Sequence, residues 1–162
     1  MKNPVQDGNI VPRSTRYQGA IIRDHHILLI KQTGLASGRS YWLIPGGRIE
    51  PDETEEDCVR REMQEETGLH VQVQYLLLDE PSNPGASFRR QKTYVCRILD
   101  GEARPGYEPE EAYATAYRFT DVGWFELCVP RAGTSALCQI RSLTPYCNAF
   151  KLRLGTPHNP PL

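Results

Sequence analysis

Five charged residues in the first half of the chain have types and spacing that could do chemistry: Glu53, then Arg61-Glu62, then Glu65-Glu66, with Gly47 before them and Gly68 after. On a helix turning about 100° per residue, Glu62 and Glu66 lie about 40° apart, with Glu65 about 60° from Glu62 on its other side. Three carboxylates then crowd one stripe. Like charges at these separations repel by about 0.2–0.5 kcal/mol per pair, and Arg61 can relieve Glu65 but cannot neutralise all three. A divalent cation can. A hard ion such as Mg²⁺ takes carboxylate oxygens, keeps several waters and completes its shell with substrate phosphate oxygens. The pattern reads as half a metal site that a phosphate ligand completes. A Ca²⁺-binding loop is excluded, because no D-x-[DN]-x-[DN]-G ladder is present.

The flanking residues predict the element that carries these groups. Asp52 suits the N-cap of a helix whose first turn is acidic (Glu53, Glu55, Glu56), the sign that the helix dipole favours, and Gly68 suits the position just past its end. The helix between them runs about four turns. Val59 and Met63, four apart, are placed to bury its inner face. Ahead of it, Trp42-Leu43-Ile44 reads as a strand end, and Pro45-Gly46-Gly47 as a turn that lets backbone approach a ligand closely.

Taken whole, Gly47 to Leu69 (GRIEPDETEEDCVRREMQEETGL) reads G-x5-E-x7-R-E-U-x-E-E-x-G-U with U a bulky aliphatic, and no position departs from that pattern. Chance coincidence is on the order of one in 10⁹ per window at average residue frequencies, which discards the reading of a merely charged helix. This is the Nudix box, and the chain resembles the Nudix hydrolases. The resemblance implies an α/β fold, a Nudix-type α/β/α sandwich with a mixed β-sheet. It also implies Mg²⁺- or Mn²⁺-dependent hydrolysis of a nucleoside diphosphate linked to another moiety, by water attack at phosphorus. By the same resemblance Glu62, Glu65 and Glu66 match the metal-ligating glutamates, and a carbonyl at Gly46 joins the metal shell. Arg61 and Glu53 match the pair that orients them. The general base is left between Glu62 and a later glutamate, with Glu108, Glu110, Glu111 and Glu126 as candidates.

Substrate identity is less legible. The proline that ADP-ribose-specific relatives carry sixteen residues beyond the box is displaced by one here, to Pro84, with Gly85 in its place. The tyrosine of dinucleoside-polyphosphate members is replaced by Ala86 and Ser87, and no coenzyme A signature is recognisable. Arg23, Arg89, Arg90 and Lys92 could meet substrate phosphates, and Tyr17, Tyr41 or Phe88 could stack on a base. Arg89-Arg90 is the pair favoured for substrate contact, because it sits beside a Pro/Gly loop.

Composition fits one domain over residues 1–162: 39% hydrophobic content supports one core, and a formal net charge of −1 implies no overall polyanion-binding field. Nucleic acid is therefore disfavoured as a partner, an RNA-acting member included, and a small nucleotide favoured. No apolar run long enough for a membrane span and no signal peptide is indicated. Five scattered cysteines without a C-x-x-C pair point to a reduced, cytoplasmic setting without zinc. His25-His26 reads as a polar turn between strands 17–23 and 27–32, a buried hairpin. Further strands are expected over 41–44, 70–78, 93–98 and 117–126, with a helix over 134–144. Residues 79–87 are expected to be irregular, with a loose arm at 1–15 and a Pro-rich tail at 155–162. A homodimer is compatible with the sequence but not demanded by it. A Nudix-fold module that senses a nucleotide without turnover stays open as the alternative, although an intact box weighs against it.

Overall fold

The computed structural model describes residues 15–107, 109 and 114–127. Among these residues the elements run in the order β1 (Thr15–Arg23), β2 (His26–Gly34), β3 (Ser40–Leu43), β4 (Gly46–Gly47), α1 (Glu55–Thr67), β5 (His70–Pro81), β6 (Arg90–Asp100) and β7 (Tyr117–Glu126). The sheet is mixed: β1 runs parallel to β6, and every other pairing is antiparallel. Its strand order is β3-β2-β1-β6-β5, with β4 added beside β1 and β7 beside β2.

Alternation along β1 and β2 sends side chains to two separate cores. Tyr17, Ile21 and Leu28 join Cys58, Val59 and Met63 of α1, together with Leu69, Val71, Tyr94 and Cys96. Ala20, Ile27 and Leu29 pack on the opposite face with Ile44 and Leu127. The period of two along a strand produces this division, and four consecutive apolar residues, Ile27 to Ile30, are buried because both faces are covered. Val59 and Met63 are fully buried, as their four-residue spacing predicts.

Several local expectations are corrected. The helix is capped by Thr54, whose Oγ1 accepts from the Asp57 N–H at 3.1 Å; Asp52 instead takes a left-handed turn conformation at φ 64°. Glu53 therefore precedes the helix, and α1 spans 13 residues, about three and a half turns. Gly68 does end it, at φ 73°, where a side chain would be strained. The hairpin at Asp24-His25 pairs only through Ile22↔Ile27 and Arg23↔His26 before the two strands diverge to different neighbours. Gly46-Gly47 is not a turn but a two-residue strand against Tyr17 and Gln18. Asp79 to Pro81 extend β5, where Pro81 pairs with Arg90 on the edge strand and its missing N–H costs little. The helix expected over 134–144, the tail, and the arm apart from Thr15 lie outside the described residues. Among the described residues no helix is long and apolar enough to cross a membrane.

Candidate active site

The site begins with one arginine. Arg61 makes a two-pronged ion pair with Glu53, Nε to Oε1 at 2.8 Å and Nη2 to Oε2 at 3.0 Å. The same guanidinium reaches Glu62 at 2.9 Å, Glu65 at 3.1 Å and the Arg48 carbonyl at 2.8 Å. Glu53 in turn accepts the Glu50 N–H at 2.9 Å, tying the turn before the helix to its middle. Burial pushes the Glu53 carboxyl up, but its bonds from Arg61 and the Glu50 backbone outweigh that and hold it below the ordinary carboxylate range.

Glu66 is 5% exposed and accepts the Gly46 N–H at 2.7 Å. The glycines of β4 make this approach possible. A Cβ on Gly47 would stand 2.3 Å from Glu62 Oε1, and one on Gly46 would stand 2.2 Å from the Tyr17 carbonyl. The side-chain-free strand is thus a window through which Glu62 and Glu66 reach a cleft of about 400 Å³. Burial, chiefly, pushes the Glu62 carboxyl up to about 7, against the pull of Arg61 and Arg16.

The cleft is lined by residues of opposite sign. Glu62 and Glu66 face it together with Arg16 and Arg48, beside Phe88, Gln18, Gln91, Gln32 and Tyr117. Arg16 and Arg48 each hold a guanidinium 5.6 Å from the Phe88 ring centre. Arg16 and Gln18, two apart on β1, share a face with Gln91 and Thr93 of β6, their register partners.

The sequence-derived candidates divide. Gly46, Glu62 and Glu66 line the cleft, whereas Glu65 lines a neighbouring recess with Arg61, Gln64, His70, Arg104 and Tyr107. Among the described residues no three acidic, histidine or cysteine side chains converge as a ready metal cage. Arg61 stands between Glu62 and Glu65 as their counter-ion instead. Arg23 packs against Trp124 and Arg90 pairs with Asp79 at 2.5 Å; neither lines the cleft, nor does Arg89. Lys92 is held by Glu55 at 2.7 Å, Tyr17 is buried in the core, and Tyr41 is 61% exposed away from the cleft lining. Of the proposed aromatics only Phe88 lines it. Glu126 is exposed opposite His26, at the far end of β7 from the cleft residue Tyr117, about 30 Å along the strand. Glu108, Glu110 and Glu111 lie outside the described residues.

Arg16, Arg48, Gln18, Gln32, Gln91 and Tyr117 were missed. On β1 the signal was Arg16 and Gln18 alternating about the buried Tyr17, whereas the start of β6, Arg90 to Thr93, is wholly polar and gives no alternation to read.

A mixed sheet carrying one acidic helix against a cleft with two arginines defines an α/β domain with a charged cleft. The NUDIX domain family matches residues 14–131, and the chain belongs to that family. It is 33% identical over 96 residues to an ADP-ribose pyrophosphatase of Methanocaldococcus jannaschii, covering 58% of this chain and 56% of that protein. It is 42% identical over 62 residues to an 8-oxo-dGTP diphosphatase of Proteus vulgaris, 38% of this chain and 54% of that one. The chain thus spans about half the length of each of these relatives. Among solved structures it resembles a MutT NUDIX hydrolase from Burkholderia pseudomallei, with a TM-score of 0.53 and 30% identity over 76% of this chain and 91% of that one.

Proposed function

We propose that the chain is a metal-dependent hydrolase of the diphosphate bond in a nucleoside diphosphate linked to another moiety, either a nucleoside triphosphate or a nucleotide-sugar such as ADP-ribose. The observation that carries this reading is the polarity of one cleft, with Glu62 and Glu66 on one wall and Arg16 and Arg48 on another. A diphosphate is the ligand class that meets both walls, because its oxygens pair with guanidinium directly and with carboxylate only through a cation.

The donors fit such a cation. They are hard carboxylate oxygens, and Glu62 and Glu66 line the same cleft. Glu62 and Glu66 from the cleft, joined by Glu65 from the adjoining recess, would hold Mg²⁺ or Mn²⁺, which would supply charge neutralisation at phosphorus and a more acidic water. Arg61, fixed by Glu53, orients Glu62 and Glu65. Arg16 and Arg48 bind phosphate oxygens, and the Gly46 N–H fixes the Glu66 carboxylate. Two relatives named as pyrophosphatase and diphosphatase support the same reaction class.

The test is Mg²⁺- and Mn²⁺-dependent turnover of canonical and oxidised (d)NTPs, ADP-ribose, other nucleotide-sugars and dinucleoside polyphosphates in ¹⁸O water. Phosphate or nucleotide product carrying the label is expected, and its position identifies the phosphorus attacked. Nucleotide binding without turnover of any substrate would overturn the hydrolase reading.

A further inference from the structure

We propose that the cleft selects a purine with an oxo rather than an amino group at C6, and that Gln91 makes the selection. This rests on the reading above only in taking the ligand to be a nucleotide.

Gln18 is 4% exposed, and its Nε2 donates to Gln91 Oε1 at 3.1 Å and to Thr93 Oγ1 at 3.0 Å. A primary amide has two N–H groups, so both of those of Gln18 are occupied. Gln91 is thereby fixed with its oxygen turned toward Gln18, and its NH₂ is the end left for a ligand. Gln91 lines the cleft and makes no other side-chain hydrogen bond among the described residues.

An unconstrained glutamine reads adenine by using both ends, accepting from the C6 amino group while donating to N7. Gln91 cannot offer that pairing while its oxygen faces Gln18. An NH₂ group alone matches an edge made only of acceptors, and the O6/N7 edge of guanine or hypoxanthine is one. Adenine would set its C6 amino group against a second donor in a half-buried site, leaving both unpaired.

The geometry across the sheet agrees with a nucleotide lying over it. Gly46, beside Glu66, is the register partner of Gln18, which is in turn the partner of Thr93. Two strand spacings, about 10 Å, separate the carboxylate window from β6. A diphosphate and its ribose bridge a gap of that order.

The measurement is calorimetric binding of the α,β-methylene analogues of inosine and adenosine diphosphate in Mg²⁺, a pair that differs in the base only at the C6 group and the N1 proton that goes with it. The inosine analogue is expected to bind about tenfold more tightly or better. Gln91→Glu, which sets an acceptor where the NH₂ stood, is expected to erase or invert the preference, and Gln91→Leu to erase it. Equal affinity, tighter adenosine binding, no binding of either analogue, or a preference unchanged in both variants would overturn the proposal. Turnover of the unmodified nucleotides is measured separately. An inosine preference without turnover would refute the hydrolase reading and leave this one standing, whereas turnover without preference would do the reverse.

Discussion

At the residue scale, Arg61 and its partners Glu53, Glu62 and Glu65 form one electrostatic unit. Arg61→Ala removes the partner of Glu53, Glu62 and Glu65 together and leaves half-buried carboxylates facing each other. Such a loss is expected to cost about 3 kcal/mol. Added Mg²⁺ is expected to recover part of it, so thermal denaturation with and without the ion should show a larger shift in the variant than in the parent. Glu62→Gln keeps the shape of the cleft wall but not its charge. Its kcat is expected to fall roughly 10²–10³-fold with the circular dichroism spectrum unchanged, and parent-like turnover would remove Glu62 from the mechanism. These residues were legible because a helix converts linear spacing into angle, so Arg61, Glu62, Glu65 and Glu66 could be placed by arithmetic alone. Their division between two recesses was not, since it depends on what packs over each side of the helix.

At the element scale, two contacts hold α1 in place from either end. Near its start, Glu55 accepts from Lys92 at 2.7 Å and from the Tyr94 hydroxyl, both on β6. Burial raises the Glu55 carboxyl, but the bonds from Lys92 and Tyr94 outweigh it and the group titrates below the ordinary glutamate value. A lowered folded-state pKa contributes stability above the unfolded-state pKa and loses it as pH falls through the folded one. Glu55→Gln is therefore expected to cost about 0.5–1 kcal/mol at neutral pH, with the difference vanishing in acid below the carboxylate range, as urea melts at two pH values would show. At its end, the N–H groups of Arg104, Gly106 and Tyr107 bond the carbonyls of Thr67, Glu66 and Glu65 at 3.0, 2.9 and 3.1 Å. These are among the carbonyls a helix end leaves without partners. A Cβ on Gly106 would stand 1.7 Å from the Glu65 carbonyl. Gly106→Ala is expected to destabilise the fold by about 1–3 kcal/mol and to displace the loop, which hydrogen exchange at the end of α1 would report.

At the scale of the whole molecule, a ligand that binds only the folded chain raises its stability by mass action. Divalent cation at one hundred times its dissociation constant is expected to contribute about 2.7 kcal/mol, or about 5–10 °C in Tm for a domain of this size. Chelation should reverse the shift, and a Tm indifferent to Mg²⁺ and Mn²⁺ would contradict the metal assignment. Residue types and spacing alone were enough for the family, helix α1, its buried Val59 and Met63, and most strand positions. Each of these depends on a period of 2 or 3.6 or on an uninterrupted motif, and so is local. Residue types alone misplaced the N-cap, because Asp52 and Thr54 are both good caps, and in the fold Asp52 sits in the turn closed by the Glu53 N–H on the Glu50 carbonyl while Thr54 caps the helix. Which polar residues meet depends on the packed fold. Arg23 and Arg16 stand on the same strand, yet one packs on Trp124 at the hairpin end while the other faces Glu62 across the cleft. Gln91 acquires its fixed orientation from Gln18, a residue 73 positions away in sequence that becomes its neighbour through the parallel β1–β6 pairing. Parallel pairing across so long a separation leaves no local periodicity to read, so the orientation of Gln91 is a property of the assembled sheet.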